Sequence, residues 1–329
     1  MKNILLTGGL GYIGTYFYDL YKEQINIKTL DTNFFNNNTS NNQNVIFKDI
    51  RNISKEDLNS IDVIIHMSEL SNDPLGDLNK EITQKINHEG TVQLLNLANK
   101  TSVSKFIYMS SASVYGFSEE IMFETSKTNP LTEYSKSKIK NEEYVMGNNF
   151  TFESIILRNS TAFGFSNNLR LDLVVNDLTY SGFFDKEIKL LSDGTPKRPI
   201  VHIHDICTLI YKIVNDSRNL DKQIFNVGNE SMNFSIKKIA ETVGEVLDLD
   251  TITFGEHDSD QRSYQLNFDK LYEYFPDYEI MYNLERGIED LVQNFKNYTI
   301  TNSERRIKVL HRLLESEELN DELHWKRTI

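Results

Sequence analysis

The first half of the chain alternates short apolar runs with stretches whose apolar residues recur at helical spacing. The apolar runs have the length of buried strands, and they lie at Asn3–Gly8, Ile25–Asp31, Val45–Ile50, Asp62–Met67, Lys105–Ser111 and Phe152–Ser160. Helical patterns fill the gaps, most clearly over Asn79–Lys100 and Thr132–Met146. This alternation predicts an α/β fold, with a doubly wound parallel sheet covered by helices on both faces.

The pattern becomes irregular after Gly164. Residues 168–183 have helical spacing, and shorter strand and helix patterns follow. We therefore expect a smaller domain built from excursions off the main sheet, residues 166–200 and 230–300, beside a main domain of residues 1–165 and 201–229.

Two polar segments are set apart from these patterns. Residues 33–44 are rich in asparagine and predict an exposed loop. Residues 301–329 are highly charged and predict a helical extension, in which apolar residues recur at helical spacing: Ile307, Leu310, Leu313 and Leu314. Such a face would serve either for packing on its own chain or for a contact between subunits. We expect a homo-oligomer, a dimer or a tetramer.

The composition excludes several classes of function. The chain has 329 residues with a formal net charge of −13, so nucleic-acid binding, which needs a basic surface, is not expected. Cys207 is the only cysteine, which rules out an internal disulfide and fits a reducing cytoplasm. No apolar stretch approaches the length that spans a bilayer, so no membrane partner is expected.

A glycine-rich loop follows the first predicted strand and opens a helix. Gly8, Gly11 and Gly14 are spaced three apart in TGGLGYIG. Glycines at these places allow a tight turn, a close approach of the backbone to a pyrophosphate, and close packing of helix on strand. Asp31 ends the second strand about 20 residues on, where a carboxylate can bind an adenosine ribose and repel a 2′-phosphate. The loop therefore favours NAD over NADP.

A tyrosine and a lysine lie four residues apart in TEYSKSKIK. This spacing places Tyr134 and Lys138 on one face of a helix. A free tyrosine, with a pKa of about 10, is too weak a base near neutral pH, and a neighbouring ammonium favours its phenolate. The pair is therefore a candidate base with its tuning cation, although an ordinary helix surface has the same spacing.

The motifs TGGLGYIG, MSSASVYG and YSKSK, in this order, resemble the extended short-chain dehydrogenase/reductase family, the NAD-dependent epimerase/dehydratases of nucleotide sugars. The resemblance extends to about Lys296. It implies a Rossmann domain with a smaller C-terminal α/β substrate domain, and NAD as the cofactor.

The resemblance also implies site residues, with Tyr134, Lys138 and Ser111 as the catalytic set. The implied cofactor contacts are Gly8, Gly11, Tyr12, Ile13, Gly14, Asp31, Asp49, Ile50, Met67, Ser68, Glu69, Asn87, Ser110, Tyr134 and Lys138. The implied contacts to a nucleotide-diphosphate sugar are Ser71, Asn72, Ser111, Thr161, Arg170, Asn176, Arg198 and Arg262. No metal is implied, because His66, His202 and His204 lack the spacing of metal ligands.

Departures from the family pattern narrow the implied reaction to oxidation at C4 of the sugar. Ala112 and Ser113 stand where 4,6-dehydratases carry an Asp-Glu pair, and Cys207 lies outside the segment that holds a cysteine in fucose-type enzymes. Residues 70–74 and 169–177 resemble a bacterial subgroup of surface-polysaccharide enzymes, similar to GDP-heptose 4-dehydrogenases of capsule pathways. A 4-epimerase, which retains the ketone, and a non-catalytic NAD sensor are the alternatives.

Overall fold

The computed structural model contains a parallel sheet of seven strands. It describes residues 1–33, 44–71, 76–77, 79–249, 251–256 and 262–297. The strands in this part of the chain are β1 Asn3–Thr7, β2 Asn26–Asp31, β3 Asn44–Phe47, β4 Val63–His66, β5 Lys105–Ser111, β6 Phe117–Met122, β7 Glu153–Asn159, β8 Thr161–Phe163, β9 Ile188–Leu190, β10 Lys197–His202, β11 Gln223–Val227, β12 Asn233–Ser235, β13 Ile252–Phe254 and β14 Ser263–Leu266. The helices are α1 Tyr12–Tyr21, α2 Lys80–Gln84, α3 Gly90–Ala98, α4 Glu133–Gly147, α5 Val174–Phe184, α6 Ile203–Asn215, α7 Ile236–Leu247, α8 Asp269–Tyr274 and α9 Leu284–Phe295. A π-helical turn, Lys85–Glu89, joins α2 to α3.

The strand order of the large sheet is β11-β7-β5-β4-β1-β2-β3, and all its pairings are parallel. This confirms the predicted α/β fold class. The order reverses direction between β1 and β4, and ligands of such sheets bind outside the carboxyl ends of the strands at this point.

The two faces of the large sheet are covered by separate hydrophobic clusters. Ile4 and Leu6 of β1 pack in one cluster with residues of α1 and α6, while Leu5 between them packs in the other. Successive side chains of a strand point to opposite faces, so a continuous apolar run such as β1 is buried on both sides. This is the arrangement that the apolar runs predict.

Three smaller sheets and three helices account for most of the described structure after β7, with β6 contributing one strand from before it. β10 pairs with β8 and β12, β9 with β13, and β6 with β14. The helices α5, α7 and α9 enclose a third apolar cluster around Val175, Ile239 and Ile288. The predicted helix over residues 168–183 is wrong at its start, since α5 begins at Val174 and residues 171–172 form a turn before it.

Some predictions lie outside the described residues. They are the loop over residues 34–43, Asn72, and the helical extension over residues 301–329. The division of the chain into two domains stays a prediction. Within the described ranges, no helix combines the length and apolar character needed to cross a bilayer.

Candidate active site

The glycine loop joins β1 to α1 and leaves no room for side chains. Gly8 has a φ of +70°, and a Cβ there would lie 2.8 Å from the main-chain carbon and oxygen of Met67. A Cβ on Gly14 would lie 2.6 Å from the Cα of Gly9. Gly11 caps α1 without a side-chain hydrogen bond, so main-chain N–H groups of the first turn, including those of Tyr12 and Ile13, face the loop side. The backbone therefore fits a pyrophosphate at a helix N-terminus.

Asp31 lies beside this loop at the end of β2. Its Oδ2 accepts a hydrogen bond from the N–H of Leu10 at 3.0 Å, and its Oδ1 accepts from the N–H of Asn33 at 2.8 Å. The structure thus brings the predicted ribose-binding carboxylate to the loop, where it also fixes the loop backbone.

The predicted adenine-side residues are buried after β3. Asp49 is 4% exposed and forms an ion pair with Arg51, with 2.9 Å between Oδ2 and Nη2. Ile50 packs in the core cluster that contains Leu5. Arg51 was not predicted, and it holds the Asp49 carboxylate in a fixed orientation.

The turn after β4 contains Met67, Ser68 and Glu69, and Asn87 holds it in place. Asn87 lies in the π-helical turn, where its Oδ1 accepts from the N–H of Leu70 at 2.8 Å and its Nδ2 donates to the Leu70 carbonyl at 3.2 Å. A single buried side chain therefore pairs with both backbone groups of Leu70 and fixes the turn. The predicted contact of Asn87 with the cofactor stays a prediction.

The three predicted catalytic residues come from β5 and α4. Ser111 ends β5, and its Oγ accepts a hydrogen bond from the N–H of Ser113. Lys138 is buried in α4, and its Nζ lies 5.4 Å from the ring centre of Tyr134. The same ammonium donates to the carbonyl of Met109 on β5. The spacing of Tyr134 and Lys138 thus places them together, as the sequence predicts.

Lys138 also has a carboxylate partner that the sequence does not reveal. Glu69 Oε2 lies 2.6 Å from Lys138 Nζ. Burial lowers the pKa of Lys138, but the negative charge of Glu69 and the nearby Tyr134 raise it more, so its pKa lies above the ordinary value. The Glu69 carboxylate therefore favours the charged, ammonium form of Lys138.

Ser110 faces away from Ser111, as neighbouring residues of a strand do. Its Oγ donates to Glu142 Oε1 at 2.5 Å, and Glu142 forms a buried ion pair with Arg158 at 2.6 Å. This network ties α4 to β5 and β7 behind the predicted catalytic residues. The spacing could have indicated Glu142, because it follows Lys138 by four residues on the same helix face.

A second ion pair, partly buried, interacts electrostatically with Tyr134. Arg170 pairs with Asp172, and its Nη1 donates to Ser71 Oγ at 3.1 Å. Asn176 accepts from the N–H of Gly164 at 2.9 Å, and the Tyr12 hydroxyl donates to the Gly164 carbonyl at 2.6 Å. These bonds connect the loop after β8 to the glycine loop and to the turn after β4.

The remaining predicted substrate residues lie on the smaller sheets. Arg198 is 6% exposed on β10, and its guanidinium donates to the main-chain carbonyl of Arg262. Thr161 on β8 is paired in register with Ile200 of β10. The two arginines predicted to clamp a diphosphate are therefore neighbours.

His66 is buried at the end of β4, and each of its ring nitrogens contacts a threonine hydroxyl. Its Nδ1 and Nε2 lie 2.7 Å from Thr7 Oγ1 and 2.8 Å from Thr91 Oγ1. Burial, with the nearby charge of Lys138, lowers its pKa to about 3. Over the described part of the chain, no three His, Cys, Asp or Glu side chains are grouped as metal ligands.

Comparison with known proteins gives one family. Residues 4–228 match the model of the NAD dependent epimerase/dehydratase family. The chain is 30% identical over 272 residues to the UDP-glucose 4-epimerase of Mycoplasma genitalium, covering 69% of this chain and 76% of that protein. It is 29% identical over 240 residues to a putative UDP-glucose 4-epimerase of Methanocaldococcus jannaschii, covering 68% and 76%.

A solved structure has the same fold over most of the chain. UDP-glucuronic acid 4-epimerase from Bacillus cereus, in complex with UDP-glucuronic acid and NAD, superposes with a TM-score of 0.78. The match covers 90% of this chain and 99% of that one, at 22% sequence identity.

Proposed function

The chain belongs to the NAD dependent epimerase/dehydratase family and is an enzyme that uses NAD, and on that premise we propose that it is a 4-epimerase of a nucleotide-diphosphate sugar. The observation that carries the proposal is the position of Lys138, whose ammonium lies 5.4 Å from the ring centre of Tyr134 and donates to the carbonyl of Met109, two residues before Ser111 on β5. The relatives named above as 4-epimerases support epimerisation as the outcome.

Each catalytic side chain has a separate task in this proposal. Tyr134 removes the proton of the C4 hydroxyl, and it returns a proton when the ketone is reduced on its other face. The ammonium of Lys138 favours the tyrosine phenolate and, by family resemblance, holds the nicotinamide ribose. Ser111 donates to or accepts from the same sugar oxygen. NAD, when bound, supplies hydride acceptance and return at C4.

The proposed cofactor site uses the backbone cradle described above. N–H groups at the start of α1 hold the pyrophosphate, and Asp31 binds the adenosine ribose. Asp49 and Ile50 lie on the adenine side, and the turn Met67–Glu69 runs along the cofactor. The tight packing of Gly8 and Gly14 is the structural observation that fits this group.

The proposed substrate site lies between the glycine loop and the smaller sheets. Arg198 and Arg262 bind the diphosphate, because guanidinium groups match pairs of phosphate oxygens. Ser71, Arg170 and Asn176, which are linked by hydrogen bonds through Arg170, enclose the sugar with Thr161.

A C4 dehydrogenase that releases the ketone is the second candidate. It is favoured by Thr161, which stands where common epimerases of the family carry an asparagine, and by the resemblance to GDP-heptose enzymes. The catalytic residues serve both reactions equally. The fate of the ketone therefore separates the candidates.

The test is to incubate the purified protein with UDP-, dTDP- and GDP-sugars, with and without a 2-keto acid, and to identify products by mass and NMR. A stereoisomer of unchanged mass supports the epimerase, and a product lighter by two hydrogens supports the dehydrogenase. Tyr134→Phe should retain NAD but lose about 10²- to 10⁴-fold in turnover. Tyr144→Phe, on the same helix and bonded to Asn96, is the matched control. Near-normal turnover by Tyr134→Phe would refute the assigned chemistry.

A further inference from the structure

Glu69 is a buried carboxylate at the centre of the proposed redox site. Its side chain is 2% exposed, and that of its partner Lys138 is 4% exposed. Glu69 Oε2 lies 2.6 Å from Lys138 Nζ, and Glu69 Oε1 accepts a hydrogen bond from the Tyr108 hydroxyl at 2.8 Å. The carboxylate is therefore held from two sides within the turn that follows β4.

The hydrogen bonds around Tyr108 orient its hydroxyl toward Glu69. Asn141 Nδ2 donates to the Tyr108 hydroxyl oxygen at 2.8 Å, so the tyrosine proton points to Glu69. Glu69 Oε1 therefore accepts from Tyr108, while Oε2 lies in ion-pair distance of the Lys138 ammonium. Burial raises the pKa of Glu69, and the positive charge of Lys138 opposes that shift and favours the carboxylate.

The pair uses part of the hydrogen-bonding capacity of Lys138. An ammonium has three donors; Lys138 gives one to the Met109 carbonyl, and its Nζ lies 2.6 Å from Glu69 Oε2. These two contacts leave at least one donor for a ribose hydroxyl. Only the Lys138 ammonium therefore separates the Glu69 carboxylate from any group that Lys138 binds.

The other charged groups around the site do not replace Glu69 in this position. Arg170, which interacts electrostatically with Tyr134, is paired with Asp172. Glu142 acts on Lys138 from the same helix but is paired with Arg158. His66 beneath Lys138 is neutral, because burial lowers its pKa to about 3. Glu69 is the carboxylate in direct contact with the Lys138 ammonium.

We propose that Glu69 is a positioning residue that balances the charge of Lys138 and thereby makes the site bind oxidised NAD⁺ in preference to NADH. The nicotinamide ring carries a positive charge only in the oxidised form. A fixed carboxylate beside the cation that holds its ribose attracts that form, whereas an uncompensated ammonium would repel it. The inference rests on the proposed place of Lys138 at the nicotinamide ribose.

The test measures the dissociation constants of NAD⁺ and NADH with the protein alone, by NADH fluorescence and by competition. Glu69→Gln keeps the size of the side chain and removes its charge. We expect the ratio of the NADH constant to the NAD⁺ constant to fall roughly tenfold, which corresponds to about 1.4 kcal/mol or about 30 mV for a two-electron couple. Equal changes in both constants, or no change, would overturn the proposal.

Two further variants separate charge from structure. Tyr108→Phe removes a hydrogen bond to the same carboxylate and leaves the charge, so the ratio should stay within about twofold of the unmodified protein. If Glu69→Gln fails to fold because Lys138 loses its buried partner, Glu69→Asp provides the test. It retains the charge, and a tenfold fall in the ratio for Glu69→Asp would overturn the proposal. No sugar is present, so these results are independent of whether the protein epimerises one.

Discussion

Removal of either Glu142 or Arg158 should destabilise the protein strongly, whereas removal of both should cost much less than the sum. The two side chains are 4% and 6% exposed. Arg158 Nε lies 3.1 Å from both carboxylate oxygens of Glu142, and Nη2 lies 2.6 Å from Oε2. Arg158 Nη1 also donates to the Tyr115 hydroxyl at 2.9 Å.

The expected loss of stability depends on which buried charge each substitution leaves without a partner. Arg158→Met leaves the Glu142 carboxylate buried without its cation, and Glu142→Leu leaves the guanidinium without its anion. Each single change should lower the free energy of unfolding by about 3–5 kcal/mol. The double variant leaves no buried charge, and apolar replacements of such pairs are often close to neutral. We therefore expect a coupling energy of about 3 kcal/mol or more.

The assay is equilibrium unfolding in urea for the four proteins of the cycle, followed by fluorescence and by circular dichroism. Stabilities that add to within about 0.5 kcal/mol would refute the reasoning, because independent sites behave in that way. A matched exposed pair, Lys189 and Glu187, should show a coupling below about 1 kcal/mol.

Two further predictions concern the glycine loop and a buried acid. Gly14→Ala should weaken NAD binding at least tenfold in calorimetric titration, because its Cβ would lie 2.6 Å from the Cα of Gly9. Gly147→Ala is the control and should bind NAD normally, because its Cβ meets no atom within 4 Å. Equal binding by both variants would contradict the packing argument. Burial raises the pKa of Asp205 to about 6. Between about pH 4 and pH 6 the folded chain therefore binds more protons than the unfolded chain, and the free energy of unfolding falls by about 3 kcal/mol as the pH rises through this window. Asp205→Asn should remove that part of the pH dependence in urea titrations, and an unchanged slope would contradict the assignment.

The spacing of residues along the chain was sufficient to predict most strands of the large sheet and part of the candidate site. The apolar runs predicted six of the seven strands of the large sheet, because a strand buried on both faces must be apolar throughout. The seventh, the edge strand β11, was not predicted. Glycines at positions 8, 11 and 14 predicted the cradle, since only glycine fits there. The spacing of Tyr134 and Lys138 placed both on one helix face. Each of these inferences depends on residues close together in the chain.

Contacts between distant segments depended on the tertiary structure. Glu69 meets Lys138 because β4 and β5 are neighbours in the sheet and α4 packs at their carboxyl ends. Arg170 reaches Ser71 from a segment 99 residues further along the chain. No periodic pattern encodes such pairs, because their distance is set by strand order and helix packing. The sequence alone therefore determined the type of fold and paired the proposed catalytic base with its cation on one helix face, and the tertiary structure decided which carboxylate lies beside that cation.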